Sequence, residues 1–167
     1  MKEITTPITE ETIKNLKLGD QLSITGTIYT GRDAVLPKIV NLIEKNQKES
    51  IKFNLNGAVI MHTAFSDAGI APTTSNKAEI ESSIIPLSHE GVKFHIGKGA
   101  LHPETVEGLK KEGSVFIITP PVAALLTNKV EEKKCIMFPE EGMEALYELK
   151  VNKIPGIVAS INGETLF

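Results

Sequence analysis

The chain has 167 residues, 41% of them hydrophobic and 23% charged, with a formal net charge of -3. That length buries one substantial core and does not need two, so one domain over residues 1–167 is expected. No charge of one sign dominates, which argues against nucleic acid or an anionic membrane surface as a partner.

After a polar start, Gln21-Leu22-Ser23-Ile24-Thr25-Gly26-Thr27-Ile28-Tyr29 alternates polar and apolar residues and is rich in β-branched types, the pattern of a half-buried strand. Residues 32–45 then space Ala34, Leu36, Ile39, Val40, Leu42 and Ile43 as a helix does. Asp33 favours its N-terminus, and Pro37 falls in or near the first turn, where a missing N–H is tolerated. Beyond a polar stretch ending at Gly57, Ala58-Val59-Ile60-Met61-His62 reads as a buried strand, and residues 63–77, with Gly69 and Pro72, as a loop. Residues 78–89 suit a helix despite Pro86, and Val92-Lys93-Phe94-His95-Ile96 a strand that stops at Gly97-Lys98-Gly99. A solvent-facing helix is predicted over 103–112, a buried strand over 114–118, a short apolar helix over 121–128 and a strand over 134–138. The charged run Glu131-Glu132-Lys133-Lys134 reads as a solvated turn. Two more strands, 144–151 and 156–161, precede an Asn162-Gly163 turn. The order of elements predicts an α/β fold with a mixed sheet and no internal boundary.

No apolar run approaches the roughly 20 residues that cross a bilayer, and the N-terminus carries neither a basic start with an apolar stretch nor a cleavage site, so a cytoplasmic protein is expected. The single cysteine, Cys135, has no partner for an internal disulfide and cannot by itself hold an iron–sulfur cluster, which takes several thiolates. It is expected to be a buried strand residue without a catalytic role. His62, His89, His95 and His102 follow no metal-binding spacing; His62 and His95 fall at strand positions and read as packing or edge residues.

Three segments carry possible chemistry. In Thr30-Gly31-Arg32-Asp33 a strand runs through a glycine toward a helix, a junction at which α/β proteins collect binding loops. Arg32 has the planar fork that grips a carboxylate through two hydrogen bonds, or it pairs with Asp33 or caps the helix. In Pro72-Thr73-Thr74-Ser75-Asn76-Lys77, consecutive hydroxyls and a cation suit a hydroxylated anion, although hydroxyl-rich turns are also ordinary loops. In Gly97-Lys98-Gly99, the glycines permit close backbone approach around a point charge, or simply a surface turn; the triplet is too short for a nucleotide-binding P-loop.

Taken in order, these segments resemble the β subunit, or C-terminal domain, of the iron–sulfur hydro-lyases that include class I fumarase and L(+)-tartrate dehydratase. The likeness runs from Leu18-Gly19-Asp20 through Gly26 to Ala34, Pro72-Thr73-Thr74-Ser75, Ile96-Gly97-Lys98-Gly99 and Ala123-Ala124-Leu125-Leu126. It ends with Gly142-Met143-Glu144-Ala145-Leu146-Tyr147-Glu148-Leu149-Lys150-Val151 and Ile154-Pro155-Gly156-Ile157-Val158. The resemblance implies a swivelling β/β/α domain that works with a cluster-bearing α subunit, as an α2β2 heterotetramer. The [4Fe-4S] cluster is expected in that partner, with no cofactor in this chain. The implied reaction is reversible hydration of fumarate to malate, with tartrate or another hydroxy acid as the alternative substrate, or a non-catalytic anion-binding role. The roles it implies are Thr73 as general base, Arg32, Thr74, Ser75, Lys77 and Lys98 as substrate-binding residues, and Thr30, Asp33, Gly97 and Gly99 as their support.

Two departures stand out. The family's usual arginine two residues beyond Pro-Thr-Thr-Ser is Lys77 here, which keeps the charge and loses the two-pronged grip. The loop before that motif is also shorter, Thr63-Ala64-Phe65-Ser66-Asp67-Ala68-Gly69-Ile70.

Overall fold

A computed structural model describes residues 1–73, 77–120 and 123–167, with the backbone alone for residues 77–79 and 123–124. Its strands are β1 (Lys2–Thr5), β2 (Gln21–Gly31), β3 (Val59–His62), β4 (Phe65–Ser66), β5 (Gly69–Ile70), β6 (Phe94–Gly97), β7 (Val115–Ile118), β8 (Val130–Met137), β9 (Leu146–Ile161) and β10 (Glu164–Thr165). Its α-helices are α1 (Glu10–Lys14), α2 (Leu36–Glu44), α3 (Lys77–His89), α4 (Pro103–Glu112) and α5 (Ala123–Thr127), with 3-10 turns at Lys48–Ser50 and Pro139–Glu144.

The fold is mixed α/β, as expected. β2, β3, β6 and β7 lie side by side and parallel. The long strand β9 pairs antiparallel with β2 along one edge and with β7 along the other, so the sheet folds over and closes on itself. Apolar residues alternate along these strands, and the inward set, including Leu22, Ile24, Ile28, Val59, Met61, Phe94, Ile96, Ile117, Leu149 and Val158, fills the space between the two halves of the sheet. The outward set is also apolar. Ile60 packs with Leu36 and Ile39 of α2 and Leu87 of α3, and Phe116 packs with Ile80 and Ile84 of α3 and Leu109 of α4. Two sheet layers and one helical layer result, because each parallel strand must cover both its faces.

α4 follows its sequence signals closely: Pro103 in the first turn, Lys110 and Lys111 in the last, and a left-handed Gly113 as C-cap. Elsewhere the structure corrects the expectations. α2 begins at Leu36; residues 32–35 form a turn in which the N–H groups of Val35 and Leu36 donate to the Arg32 carbonyl at 3.1 and 2.9 Å. The 63–77 loop contains the β4–β5 hairpin. The strands expected over 144–151 and 156–161 are one strand, β9, which begins at Leu146 and passes through Pro155. The supposed turn 131–134 lies inside β8, and Cys135 is exposed on that strand rather than buried. No helix among the described residues is long and apolar enough to cross a membrane.

Candidate functional site

The parallel strands set the geometry. Register places Gly31 opposite His62, Met61 opposite Ile96, and Gly97 opposite Ile118, so one row of residues crosses the carboxyl ends of β2, β3, β6 and β7. The residues that follow are Arg32, Thr63, Lys98 and Thr119. With neighbouring strands about 4.8 Å apart, Arg32, Thr63 and Lys98 leave the sheet within roughly 10 Å of one another along that row. The carboxyl ends of parallel strands are where α/β folds bind ligands.

Gly31 keeps this arrangement close-packed. A Cβ on it would stand 3.0 Å from both Leu146 of β9 and Val35 of the turn, so any larger residue would push apart the side chains that close over the end of β2 beside Arg32. Gly97 is buried at the end of β6, Lys98 is exposed, and Gly99 turns with a positive φ of 82°. The loop that follows is fastened to α3. Glu81 of α3 accepts from the His102 backbone N–H at 2.6 Å and pairs with its Nδ1. Burial pushes the Glu81 carboxyl up, but hydrogen bonds from Thr105 and His102 outweigh it and leave it below its ordinary value.

Thr63 brings in the second segment. Its hydroxyl lies 2.5 Å from the Ala71 carbonyl and 3.1 Å from that of Pro72, and the Ala71 N–H donates to the Ala64 carbonyl at 2.9 Å. Thr73, partly exposed, is thereby held beside the end of β3, between the exits of β2 and β6. Thr74 and Ser75 lie outside the described residues; Lys77 opens α3, and its side chain is also outside them. Sequence reasoning missed Thr63, although its position one residue past a buried strand was a usable signal.

Arg32 settles on a partner that local sequence could not indicate. Its Nε donates to Glu144 Oε1 at 3.1 Å, with both side chains about one-third exposed, 28% and 34%. Asp33 is partly buried at the start of the turn.

Two buried polar features lie beneath the rim. Between the sheet and α3, His62 Nε2 and His95 Nδ1 are 3.1 Å apart, and His95 Nε2 meets Ser88 Oγ at 2.8 Å. Burial lowers the His62 pKa to about 4, and burial followed by repulsion from His62 lowers that of His95, so both rings are neutral near pH 7. Among the described residues His62 Nδ1 has no hydrogen-bond partner; both rings are buried, as packing residues are, with one nitrogen left unsatisfied.

Thr30 is also fully buried, and its Oγ1 has no partner among the described residues. An unsatisfied buried hydroxyl costs about 1–3 kcal/mol. Thr30→Val, which keeps the shape and removes that penalty, is therefore expected to stabilise the chain by about 1 kcal/mol, raising Tm by roughly 3 °C. A lower Tm in a thermal melt would mean that the hydroxyl is satisfied in solution.

Among the described residues, no group of three or more His, Cys, Asp or Glu side chains could hold a metal ion. The one cysteine, exposed on β8, cannot by itself supply the several thiolates that an iron–sulfur cluster takes.

Comparison with known proteins gives the family. The family model described as "Fumarase C-terminus" matches residues 2–167. The L(+)-tartrate dehydratase subunit beta of Escherichia coli K12 is 32% identical over 96% of this chain and 83% of its own length. A protein of Methanocaldococcus jannaschii named "Putative L(+)-tartrate dehydratase subunit beta" is 31% identical over 93% of this chain and 84% of its own. A longer protein of Geobacillus stearothermophilus named "Putative fumarate hydratase class I" is 30% identical over 91% of this chain and 30% of its own. With the family model matched from residue 2 to residue 167, the chain belongs to the fumarase C-terminus family.

Proposed function

We propose that this chain is the β subunit of a two-subunit hydro-lyase that reversibly hydrates fumarate to malate, gripping the substrate while an α subunit carries a [4Fe-4S] cluster. The observation that carries the reading is the row at the strand ends, where Arg32, the Thr63-tethered Thr73 segment and Lys98 emerge side by side. Cations on either side of a hydroxyl-bearing loop match a substrate with a carboxylate at each end and a proton and hydroxyl between them. The cluster supplies Lewis-acid chemistry from the partner. Arg32 holds one carboxylate, Lys98 and Lys77 add positive charge, Thr74 and Ser75 hydrogen-bond the substrate or shape the loop, and Thr73 stands at the C–H to be deprotonated. Its hydroxyl is a weak base unless positive charge activates it, and the lysines provide that charge. Thr30, Asp33, Gly97 and Gly99 support the arrangement.

Tartrate is the second reading, because the relatives that match along most of their length carry that name. Anaerobic co-expression with the α subunit, purification of the cluster-loaded complex and assay on malate and tartrate separate the two. Turnover of malate by the complex and by neither subunit alone supports the first; turnover of tartrate alone replaces it with the second. A loaded complex inert on both leaves an anion-binding role.

Lys77 yields a further prediction. Lys77→Arg restores the planar fork in place of a point charge and should leave kcat/KM within about 3-fold of the wild type, or raise it. Loss of activity in a variant with unchanged far-UV circular dichroism would show that the site is shaped around the ammonium group.

A further inference from the structure

The reading above gives Arg32 a substrate carboxylate to hold; what holds Arg32 is Glu144. A guanidinium can present two nitrogens side-on, Nε with one terminal nitrogen, or end-on, with both terminal nitrogens. Glu144 Oε1 occupies Nε at 3.1 Å, so the side-on fork is already engaged and the end-on pair is the edge left for a substrate.

Glu144 is itself well fixed. It is the last residue of the 139–144 turn, which is tied to α2 through Lys38, whose Nζ lies 2.8 Å from Glu141 and 3.8 Å from Glu140 and stands 5.0 Å from the centre of the Phe138 ring. The Tyr147 hydroxyl donates to the Gly142 carbonyl at 3.3 Å, and the next residues, Ala145 and Leu146, are buried at 1% and 0% exposure. The carboxylate therefore arrives at Arg32 from a braced turn rather than from a loose surface loop.

We propose that Glu144 is a positioning residue for substrate binding, fixing the Arg32 guanidinium end-on toward the rim so that its two terminal nitrogens meet a substrate carboxylate in a set plane. This rests on the reading of Arg32 as a carboxylate-binding residue and adds the group that sets its direction. It also explains why the neighbouring carboxylate does not spoil an anion site: its charge is spent on Nε, on the side away from the free edge.

The test is steady-state kinetics of the reconstituted complex on malate and on tartrate, following whichever acid is turned over, with calorimetric affinities for both acids if neither is. Glu144→Ala should raise KM, or Kd, by about 10- to 30-fold while kcat falls by less than about 3-fold, because orientation and not chemistry is lost. Glu144→Gln keeps an acceptor for Nε–H and should recover KM to within about 3-fold of the wild type. Lysine has no Nε–H fork, so in an Arg32→Lys background Glu144→Ala should change KM by less than about 3-fold. Equal effects of Glu144→Ala in both backgrounds, or no recovery with Glu144→Gln, would overturn the positioning role while leaving Arg32 in the site. Wild-type kinetics in Arg32→Lys and Arg32→Ala alike would remove Arg32 itself, and a complex that binds neither acid would overturn both readings.

Discussion

Arg32→Ala is expected to lower kcat/KM of the reconstituted complex by at least about 1000-fold, roughly 4 kcal/mol of lost transition-state stabilisation, while the subunit stays folded. The size follows from what is removed: a charge-assisted pair of hydrogen bonds to a carboxylate, in a site where substrate also displaces water. The intact fold follows from the surroundings. Arg32 lies at the rim after β2, its side chain is 28% exposed, and its ion pair with Glu144 is of the half-exposed kind worth at most about 1 kcal/mol. The packing that shapes the end of β2 comes instead from Gly31, Val35, Leu36 and Leu146, which the substitution does not touch. Kinetics and a urea melt on the same preparation check both halves. A loss below about 10-fold would place Arg32 outside the substrate contacts, and a large loss of stability would make the activity result uninformative about binding.

The parts of this site that sequence made legible are the local ones. Gly31-Arg32 and Gly97-Lys98-Gly99 each follow a strand whose apolar pattern is plain and Pro72-Thr73 lies in a hydroxyl-rich loop, and the structure puts the three at one end of the same parallel strands. What sequence could not show is pairing over long separations. Glu144 is 112 residues from Arg32, and no spacing rule connects them. The closure of the sheet was hidden for a related reason. Pro155, which has no N–H to give a ladder, split β9 into two apparent strands, yet it sits opposite Ser23 of β2 inside one continuous strand. The strand expected over 134–138 is the second half of β8; its first half reads as a turn because Glu131 to Lys134 are all charged and exposed, and charge on an edge strand discourages pairing with other chains and imitates the composition of a loop. Cys135 lies in a strand as expected but is exposed, because β8 is an edge strand whose successive residues 131 to 135 all face water, which its apolar neighbours Ile136 and Met137 did not reveal.

Stability should fall steeply with acid between pH 6.5 and pH 4, driven by His62 and His95. In the unfolded chain these imidazoles take up a proton near pH 6.5. In the folded chain burial lowers the His62 pKa to about 4 and pushes that of His95 down with it. Below pH 6.5 the unfolded state therefore binds protons that the native state refuses, so stability rises with pH across this window and levels off above pH 7. The shift of His62 alone corresponds to roughly 2 kcal/mol at pH 5 and about 3 kcal/mol near pH 4, and His95 acts in the same direction. The depressed carboxylates Asp20 and Glu81 add to acid sensitivity lower down, because their stabilisation is lost only as pH falls through carboxylate pKa values. Comparing pH 7.5 with pH 5 thus isolates the histidines. Urea unfolding of the wild type should show the loss, and His62→Met, which fills the space without titrating, should remove about 2 kcal/mol of the difference whatever its stability at pH 7.5. Equal urea midpoints for the wild type at the two pH values would mean that solvent reaches the pair and that the rings are not held neutral. His62 and His95 stand on β3 and β6, one residue before Thr63 and three before Lys98, so unfolding driven by their protonation also takes apart the strand ends that carry the site.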